Sequence, residues 1–371
     1  MNLSVNTVVG KQIIYFIVFD QALAYFGVSA FLLIIVGNTI QYHSHAGELA
    51  FAKCANAVEL RRLKPDPLNL SVNTVVGKQN LGALSTGSAL FYSTTKEKIM
   101  KKVLSIAGSD CSGGAGIQAD LKTFSAHGVF GMSVIVSVVA ENTSRVLAIQ
   151  DVTPKMIQQQ IDAVYEDIGS DAVKIGMLSG PATMEAVAAK LRQYKPGNIV
   201  IDPVMMAKNG CPLMNPDAIN TLIKVIIPLA DVLTPNLPEA EKITGQSISS
   251  TADMEKAAVA ISQMGSRNVL IKGGHAVGDA LDVLYDGRQF YHYNAKRIST
   301  KNTHGTGCTY SSAIAANLAL GMNLPEAVKQ AKHYVTTAIE HALSIGKGYG
   351  PTHHFYELYQ HGLKGVRSDE L

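Results

Sequence analysis

Short apolar runs alternate with longer amphipathic segments along residues 103–343, and this pattern predicts strands alternating with helices. The predicted strands are residues 103–107, 133–140, 172–175, 198–201, 231–233 and 268–271. The predicted helices are residues 116–127, 153–168, 181–193, 216–227, 238–243, 251–264 and 324–343, with one more helix after residue 308. A hairpin is predicted around Asp286 and Gly287. This alternation predicts a three-layer αβα sandwich with a mainly parallel central sheet.

The first 99 residues have a different character. The sequence NLSVNTVVGKQ occurs without change at residues 2–12 and 69–79, which indicates a recent duplication rather than a packed repeat architecture. Between the two copies, residues 13–37 are nearly all apolar, although Asp20 interrupts them. That stretch has about the length needed to span a bilayer, so it is a candidate membrane-spanning segment.

Two hypotheses account for residues 1–99. They anchor a soluble domain to a membrane, or translation starts at Met100 and the preceding residues are upstream sequence that has been read through. We favour the second hypothesis, because Met100 and two lysines directly precede the first strand of the alternating pattern, residues 103–107. Residues 1–99 are therefore expected to lie outside the fold, and residues 100–371 are expected to form the functional domain. We expect no contact with a membrane unless residues 1–99 are a native part of the protein.

Composition narrows the class of protein. A formal net charge of +3 and the lack of a long basic run argue against a nucleic-acid partner. The four cysteines lie far apart and form no C-x-x-C pair, which argues against a zinc site and against a disulfide framework. This cysteine usage fits a reducing compartment, and we expect a cytoplasmic protein.

The stretch KNTHGTGCTYSS, residues 301–312, is the strongest candidate for chemistry. Gly305, Thr306 and Gly307 lead into a run that predicts a helix, so the first backbone N–H groups of that helix lack intrahelical partners. Together with the helix dipole, these N–H groups can bind an anion. Cys308 falls at the start of the helix, where a thiol pKa is typically lowered. The alternative is an ordinary junction between a loop and a helix.

Polar residues follow several predicted strands at the edge where ligands of open α/β sheets bind. Asn236 and Glu239 are spaced to hold Mg²⁺, with Asp202 as a further metal ligand, and Lys272 can place a positive charge on a phosphate. The alternatives are a carboxylate favoured by a helix dipole for Glu239 and a solvated strand end for Lys272. Residues 114–119 match G-x-G-x-x-A, but they lie too far beyond the strand for a dinucleotide fingerprint.

Five segments together resemble the hydroxymethylpyrimidine/phosphomethylpyrimidine kinases of thiamine biosynthesis, which belong to the ribokinase-like superfamily. The segments that carry the resemblance are residues 107–122, 174–178, 234–240, 272–275 and 302–309. The match runs from about residue 102 to residue 355 and includes nearly every strand end. Residues 1–99 have no counterpart in it.

The resemblance implies an ATP- and Mg²⁺-dependent kinase that phosphorylates 4-amino-5-hydroxymethyl-2-methylpyrimidine and then extends the monophosphate to the diphosphate. It implies that Gly305 to Cys308 form an anion hole, with Cys308 where many superfamily members have an aspartate base. Whether Cys308 takes a proton or only binds phosphate is open. The residues implied to contact ATP or its phosphates are Lys272, Asn236 and Thr303.

The resemblance also implies a pyrimidine-binding set. Its members are Asp110, Val139, Glu141, Met177 and Val204. Many family members carry glutamine at the position of Glu141. Members of the family are often homodimers, and we expect the same here. The nearest alternative is a pyridoxine or pyridoxal kinase of the same superfamily, and a less favoured one is a non-catalytic ligand-binding module.

Overall fold

The structure is a computed structural model that describes residues 100–208, 210–274 and 279–361, together with the backbone of five short strands within the first 53 residues. The chain divides into two compact units, Met1–Glu97 and Lys98–Leu371.

The N-terminal unit contains an antiparallel sheet in which the strands follow one another in chain order. The strands are β1 (Ser4–Val9), β2 (Gln12–Val18), β3 (Leu32–Val36), β4 (Thr39–His43) and β5 (Leu49–Lys53).

The candidate membrane-spanning stretch, residues 13–37, overlaps β2 and β3, whose β-branched and aromatic residues favour strands. Its middle part, residues 19–31, and the second copy of the repeat, residues 69–79, lie outside the described residues. In the parts of the chain that the structure describes, no helix is both long enough and apolar enough to cross a bilayer. The anchor hypothesis stays a hypothesis.

The larger unit is built on a nine-stranded sheet. Its strands are β6 (Lys102–Asp110), β7 (Phe130–Glu141), β8 (Val146–Asp151), β9 (Ala172–Ile175), β10 (Ile199–Ile201), β11 (Val232–Leu233), β12 (Asn268–Lys272), β13 (Asp282–Tyr285) and β14 (Phe290–Tyr293). The order across the sheet is β14-β13-β12-β11-β10-β9-β6-β7-β8. The strands from β12 to β7 pair in parallel, whereas β8 at one edge pairs antiparallel with β7. At the other edge β13 pairs antiparallel with β12, and β14 pairs antiparallel with β13.

Helices cover both faces of this sheet. They are α1 (Gly116–Ala126), α2 (Pro154–Asp167), α3 (Pro181–Tyr194), α4 (Ala218–Thr221), α5 (Leu237–Thr244), α6 (Thr251–Gln263), α7 (Thr306–Ala319), α8 (Leu324–Glu340) and α9 (Tyr356–His361). Because successive strand residues point to opposite faces, Leu104 and Ile106 pack into the layer of α2 to α6. Val103 instead packs with residues of α1, α7 and α8. The predicted αβα sandwich is confirmed.

Local sequence signals explain most helix boundaries. The Thr153 side chain accepts a hydrogen bond from the backbone N–H of Met156, and Pro154 occupies the first position of α2, as the sequence predicts. α6 begins at a capping box between Ser250 and Asp253. α5 ends at Gly245, whose φ of +70° suits glycine.

Three elements differ from the prediction, one of which is α9, since no helix was predicted over residues 356–361. The helix expected over residues 216–227 is α-helical only at Ala218–Thr221 and continues as a π turn and a 3-10 turn. Pro228 lacks the N–H that a continued α-helix would need there. Strand β8 was not predicted, because its residues are largely exposed at the sheet edge and carry no buried apolar alternation. The predicted hairpin at residues 286–287 is confirmed by the pairing of β13 with β14.

Candidate active site

A cavity of about 710 Å³ opens at the carboxyl ends of the parallel strands. Parallel strands bring their carboxyl ends to one edge of the sheet, so side chains far apart in sequence meet there. All the predicted site residues line this cavity. They are Asp110, Val139, Glu141, Met177, Asp202, Val204, Asn236, Glu239, Lys272, Thr303, Gly305, Thr306, Gly307 and Cys308.

The glycine-rich stretch forms the predicted junction between a loop and a helix. Gly305 is the N-cap residue of α7, has φ of +78° and leaves the helix without a side-chain cap. A Cβ at Gly305 would overlap the carbonyl oxygen of Gly114, so only glycine fits there. A Cβ at Gly307 would lie 3.1 Å from an Oδ of Asp202. Gly305 to Cys308 line the cavity beside Asp202. The N–H of Thr306 donates to the carbonyl of Thr303 at 3.3 Å, and the other N–H groups at this helix start can bind an anion.

The prediction of a lowered thiol pKa at Cys308 is wrong. Burial raises the pKa of Cys308 to about 11, and the charges of Asp120 and Asp202 add to this effect. The charge of Lys174 and a backbone N–H donated by Gly116 oppose it without cancelling it. Desolvation of a thiolate thus outweighs the helix start. At neutral pH the side chain is a thiol.

One lysine and two carboxylates form the centre of the cavity. The Nζ of Lys272 lies 2.6 Å from an Oδ of Asp202, and Asp202 is almost fully buried. Burial, helped by the charge of Asp202, raises the pKa of Glu239 to about 7, although the charge of Lys272 opposes this. Two buried carboxylates beside one lysine leave an excess of negative charge that a divalent cation could offset.

Asn236 and Glu239 also form the capping box of α5. The Oδ1 of Asn236 accepts from the N–H of Glu239, and the Oε2 of Glu239 accepts from the N–H of Asn236, both at 2.9 Å. The alternative role considered for Glu239, a carboxylate that stabilises a helix N-terminus, is therefore present in the structure. Both residues nevertheless line the cavity.

The other end of the cavity holds a compact polar cluster. The Nε2 of His304 lies 2.8 Å from an Oδ of Asp110, and one ligand atom each of Asp110, Glu141 and His304 lie within 4.8 Å of one another. Burial by itself raises the pKa of Asp110, but hydrogen bonds from His304 and from backbone N–H groups lower it to about 2. Burial and the charge of Asp110 raise the pKa of Glu141 to about 7. The cluster therefore pairs an ionised carboxylate with one that titrates near neutrality.

Apolar side chains wall this polar cluster. Val139 and Met177 are buried and Val204 is partly buried, and all three line the same cavity. Gly108 leaves the space that Met177 occupies, since a Cβ there would lie 2.9 Å from its Cε. A flat ring with polar substituents fits between such walls.

A model of the phosphomethylpyrimidine kinase family matches residues 110–353. The chain belongs to the phosphomethylpyrimidine kinase family. The family that the motifs indicated is confirmed, and so is the prediction that the chain is a phosphotransferase.

Several proteins are similar to this kinase along most of their length. The hydroxymethylpyrimidine/phosphomethylpyrimidine kinase of Rhizobium meliloti is 51% identical over 261 residues, which cover 69% of this chain and 98% of that protein. The enzyme of the same name from Bacillus subtilis is 47% identical and covered to 94%. The thiamine biosynthesis bifunctional protein ThiED of Geobacter sulfurreducens is 45% identical over 76% of this chain, and the kinase spans 58% of its length.

Solved structures are similar in fold. Bacillus subtilis pyridoxal kinase in complex with ADP superposes with a TM-score of 0.65 at 38% identity, over 70% of this chain and 99% of that one. The phosphomethylpyrimidine kinase of Clostridium difficile has a TM-score of 0.59 at 49% identity, over 64% of this chain and 99% of that one.

Sequence reasoning missed a fully buried ion pair beneath the kinase site. Lys174 lies 2.8 and 2.9 Å from the two carboxylate oxygens of Asp120, and neither side chain is exposed. The hydroxyls of Ser105 and Ser312 also donate to Asp120, at 2.6 and 2.7 Å. The network joins β6, β9, α1 and α7, and the charge of Lys174 acts on Cys308. A lysine between Val173 and Ile175 in a buried strand is the signal that could have revealed it.

A second missed group lies toward α8. Lys332 donates to a carboxylate oxygen of Asp282 at 2.7 Å, and its Nζ lies 5.9 Å from the centre of the Tyr310 ring. All three residues line the kinase cavity, and Tyr310 is 3% exposed. Lys332 and Asp282 lie 50 positions apart in sequence, so no local motif marks them.

Proposed function

We propose that this kinase transfers a phosphoryl group from ATP to 4-amino-5-hydroxymethyl-2-methylpyrimidine and then a second one to the resulting monophosphate. The observation that carries the proposal is the meeting, in one cavity, of an uncapped helix start with a polar cluster between apolar walls. The names of the relatives supply the substrate. Such a cavity can hold an anionic phosphoryl donor and a small aromatic acceptor together.

The pyrimidine binds at the end of the cavity that contains Asp110 and Glu141. Ionised Asp110 is held by four hydrogen bonds, from His304 and from the backbone of residues 112, 114 and 115, so its position is fixed before any ligand binds. Glu141 can accept from the ring amino group when ionised, or donate to a ring nitrogen when protonated. Val139, Met177 and Val204 contact the faces of the ring.

The phosphoryl group passes beside the start of α7. The backbone N–H groups of Gly305, Gly307 and Cys308 and the ammonium of Lys272 stabilise its charge, and Thr303 and Asn236 lie beside the donor phosphates. Because Cys308 is protonated at neutral pH, it contacts the phosphoryl group as a thiol and does not act as the base. A loose transition state needs little proton abstraction from the acceptor.

Asp202 and Glu239 would hold Mg²⁺. Burial and the nearby charge of Asp202 raise the pKa of Glu239, so the two carboxylates lack a compensating positive charge. Such a pair of carboxylates suits a hard cation, which prefers oxygen ligands. When bound, the ion neutralises charge on the transferred phosphates. Lys272 already offsets one of these carboxylates.

One assay tests the proposal. The purified chain is incubated with ATP and Mg²⁺ and, separately, with the hydroxymethylpyrimidine, its monophosphate or pyridoxal, and products are identified by mass spectrometry. We expect a monophosphate from the first and a diphosphate from the second. Phosphorylation of pyridoxal without product from either pyrimidine would refute the proposal.

A pyridoxal kinase is the second candidate. Similarity in fold to the ADP complex of Bacillus subtilis pyridoxal kinase favours it. The higher identity to the pyrimidine kinases, 51% against 38%, favours the pyrimidine.

Residues 100–371 act as the kinase domain, in the cytoplasm and as a homodimer. Relatives aligned over nearly their whole length match 69% of this chain, which supports the domain assignment. Light scattering of the purified protein tests the dimer, and fractionation of cells tests the location.

A further inference from the structure

Lysines of the cavity wall differ in whether a carboxylate neutralises them. Lys272 is paired with Asp202 at 2.6 Å and Lys332 with Asp282 at 2.7 Å. Lys208 also lines the cavity, and it has no carboxylate partner within residues 100–361 as far as the structure describes them. Its ammonium is therefore available to an anionic ligand.

The Lys208 ammonium lies at the acceptor end of the cavity. Its Nζ stands over the Tyr349 ring, 6.0 Å from the ring centre. The backbone N–H of Tyr349 donates to the carbonyl of Thr143 at 2.8 Å, two residues beyond Glu141. Lys208 also follows Val204 on the segment after β10. These contacts place Lys208 over the polar cluster assigned to the pyrimidine.

Two other lysines of the cavity wall lie elsewhere. Lys242 is in the last turn of α5. Lys296 follows Ala295, whose backbone pairs with Ala280 near Asp282, at the opposite end of the cavity.

The acceptor of the second transfer poses an electrostatic problem. It carries a phosphate dianion, whereas the acceptor end contains ionised Asp110 and the titrating carboxyl of Glu141. Repulsion between the phosphate and these carboxylates disfavours binding of the monophosphate unless a cation lies nearby. Lys208 is exposed at the cavity wall, so its ammonium can move toward an incoming phosphate.

We propose that Lys208 binds the phosphate of the monophosphate acceptor and so selects it for the second transfer. This inference rests on the proposed function of two successive transfers. The alcohol acceptor of the first transfer carries no phosphate, so Lys208 contributes little to its binding. Lysine suits the task because its ammonium is a point charge on a flexible stem that adjusts to either acceptor.

The test compares the two transfers in the full chain bearing Lys208→Met, Lys208→Arg or Lys224→Met. Lys224 is exposed on the π turn after α4 and is the matched control for loss of one lysine. For Lys208→Met we expect the KM for the monophosphate to rise about tenfold to a hundredfold, the range of one hydrogen bond to a charged group. The KM for the alcohol stays within about twofold, and Lys208→Arg recovers most of the loss.

Unchanged KM for the monophosphate in Lys208→Met, or an equal rise for both acceptors, would overturn the inference. Either result with a wild-type enzyme that uses both pyrimidines leaves the proposed function intact. A wild-type enzyme that uses neither pyrimidine would overturn the proposed function and this inference together.

Discussion

Removal of the Lys174 ammonium should destabilise the kinase severely. In Lys174→Met, a side chain of similar length fills the space, but Asp120 stays behind with no exposed surface. Only the hydroxyls of Ser105 and Ser312 then donate to its carboxylate. The charge has lost the two contacts at 2.8 and 2.9 Å that compensated for its burial.

Breaking a buried pair in this way costs about 3–5 kcal/mol. The total stability of a domain is only about 5–15 kcal/mol, so a large part of it would be lost. At roughly 2–4 °C per kcal/mol for a domain of this size, the melting temperature should fall by about 6–20 °C.

Urea titration and thermal melting followed by circular dichroism measure the effect. Lys101→Met is the matched control, because it breaks the Lys101–Asp171 pair at 3.0 Å, in which the lysine side chain is 44% exposed. That change should cost no more than about 1 kcal/mol. Adding Asp120→Asn to Lys174→Met removes the uncompensated charge and should restore part of the stability.

The reasoning would be refuted by a Lys174→Met protein as stable as the Lys101→Met control. It would also be refuted if the double variant were less stable than Lys174→Met alone, because the unpaired carboxylate would then not be the cause.

Three further predictions concern the site. Cys308→Ala should lower kcat about a hundredfold or more in the ATP assay, the scale of one lost contact to the transferring group, and near wild-type turnover would contradict its role. Gly305→Ala should abolish activity and destabilise the fold, because its Cβ meets a backbone carbonyl; Gly321→Ala, at φ of +91° in open space, isolates backbone strain and should keep activity. The folded-state pKa of Glu141 is raised from 4.5 to about 7, so its contribution to stability is lost as pH rises through that window. Glu141→Gln should therefore gain stability relative to wild type between about pH 5 and about pH 8 in paired urea titrations, and a constant difference would contradict the raised pKa.

Contiguous patterns in the sequence predicted most of the fold and the outline of the site. Apolar runs and caps such as Thr153 act through near neighbours in the chain, so strands and helices could be placed without knowledge of their packing. The rule that strand ends share one edge then brought Asp110, Asn236 and Lys272 together. Strand β8 was not predicted, because its residues are mostly exposed and backbone hydrogen bonds to β7, not buried apolar side chains, hold it in the sheet.

Tertiary structure decided what the side chains do at the site. The bond between His304 and Asp110 joins residues 194 positions apart, and the pair of Lys174 and Asp120 joins residues 54 positions apart. No local pattern encodes such contacts. Cys308 shows the physical reason most clearly. The sequence predicts its position at a helix start, which favours a thiolate. The burial that raises its pKa and keeps the proton on its sulfur arises only when the sheet and helices pack around it.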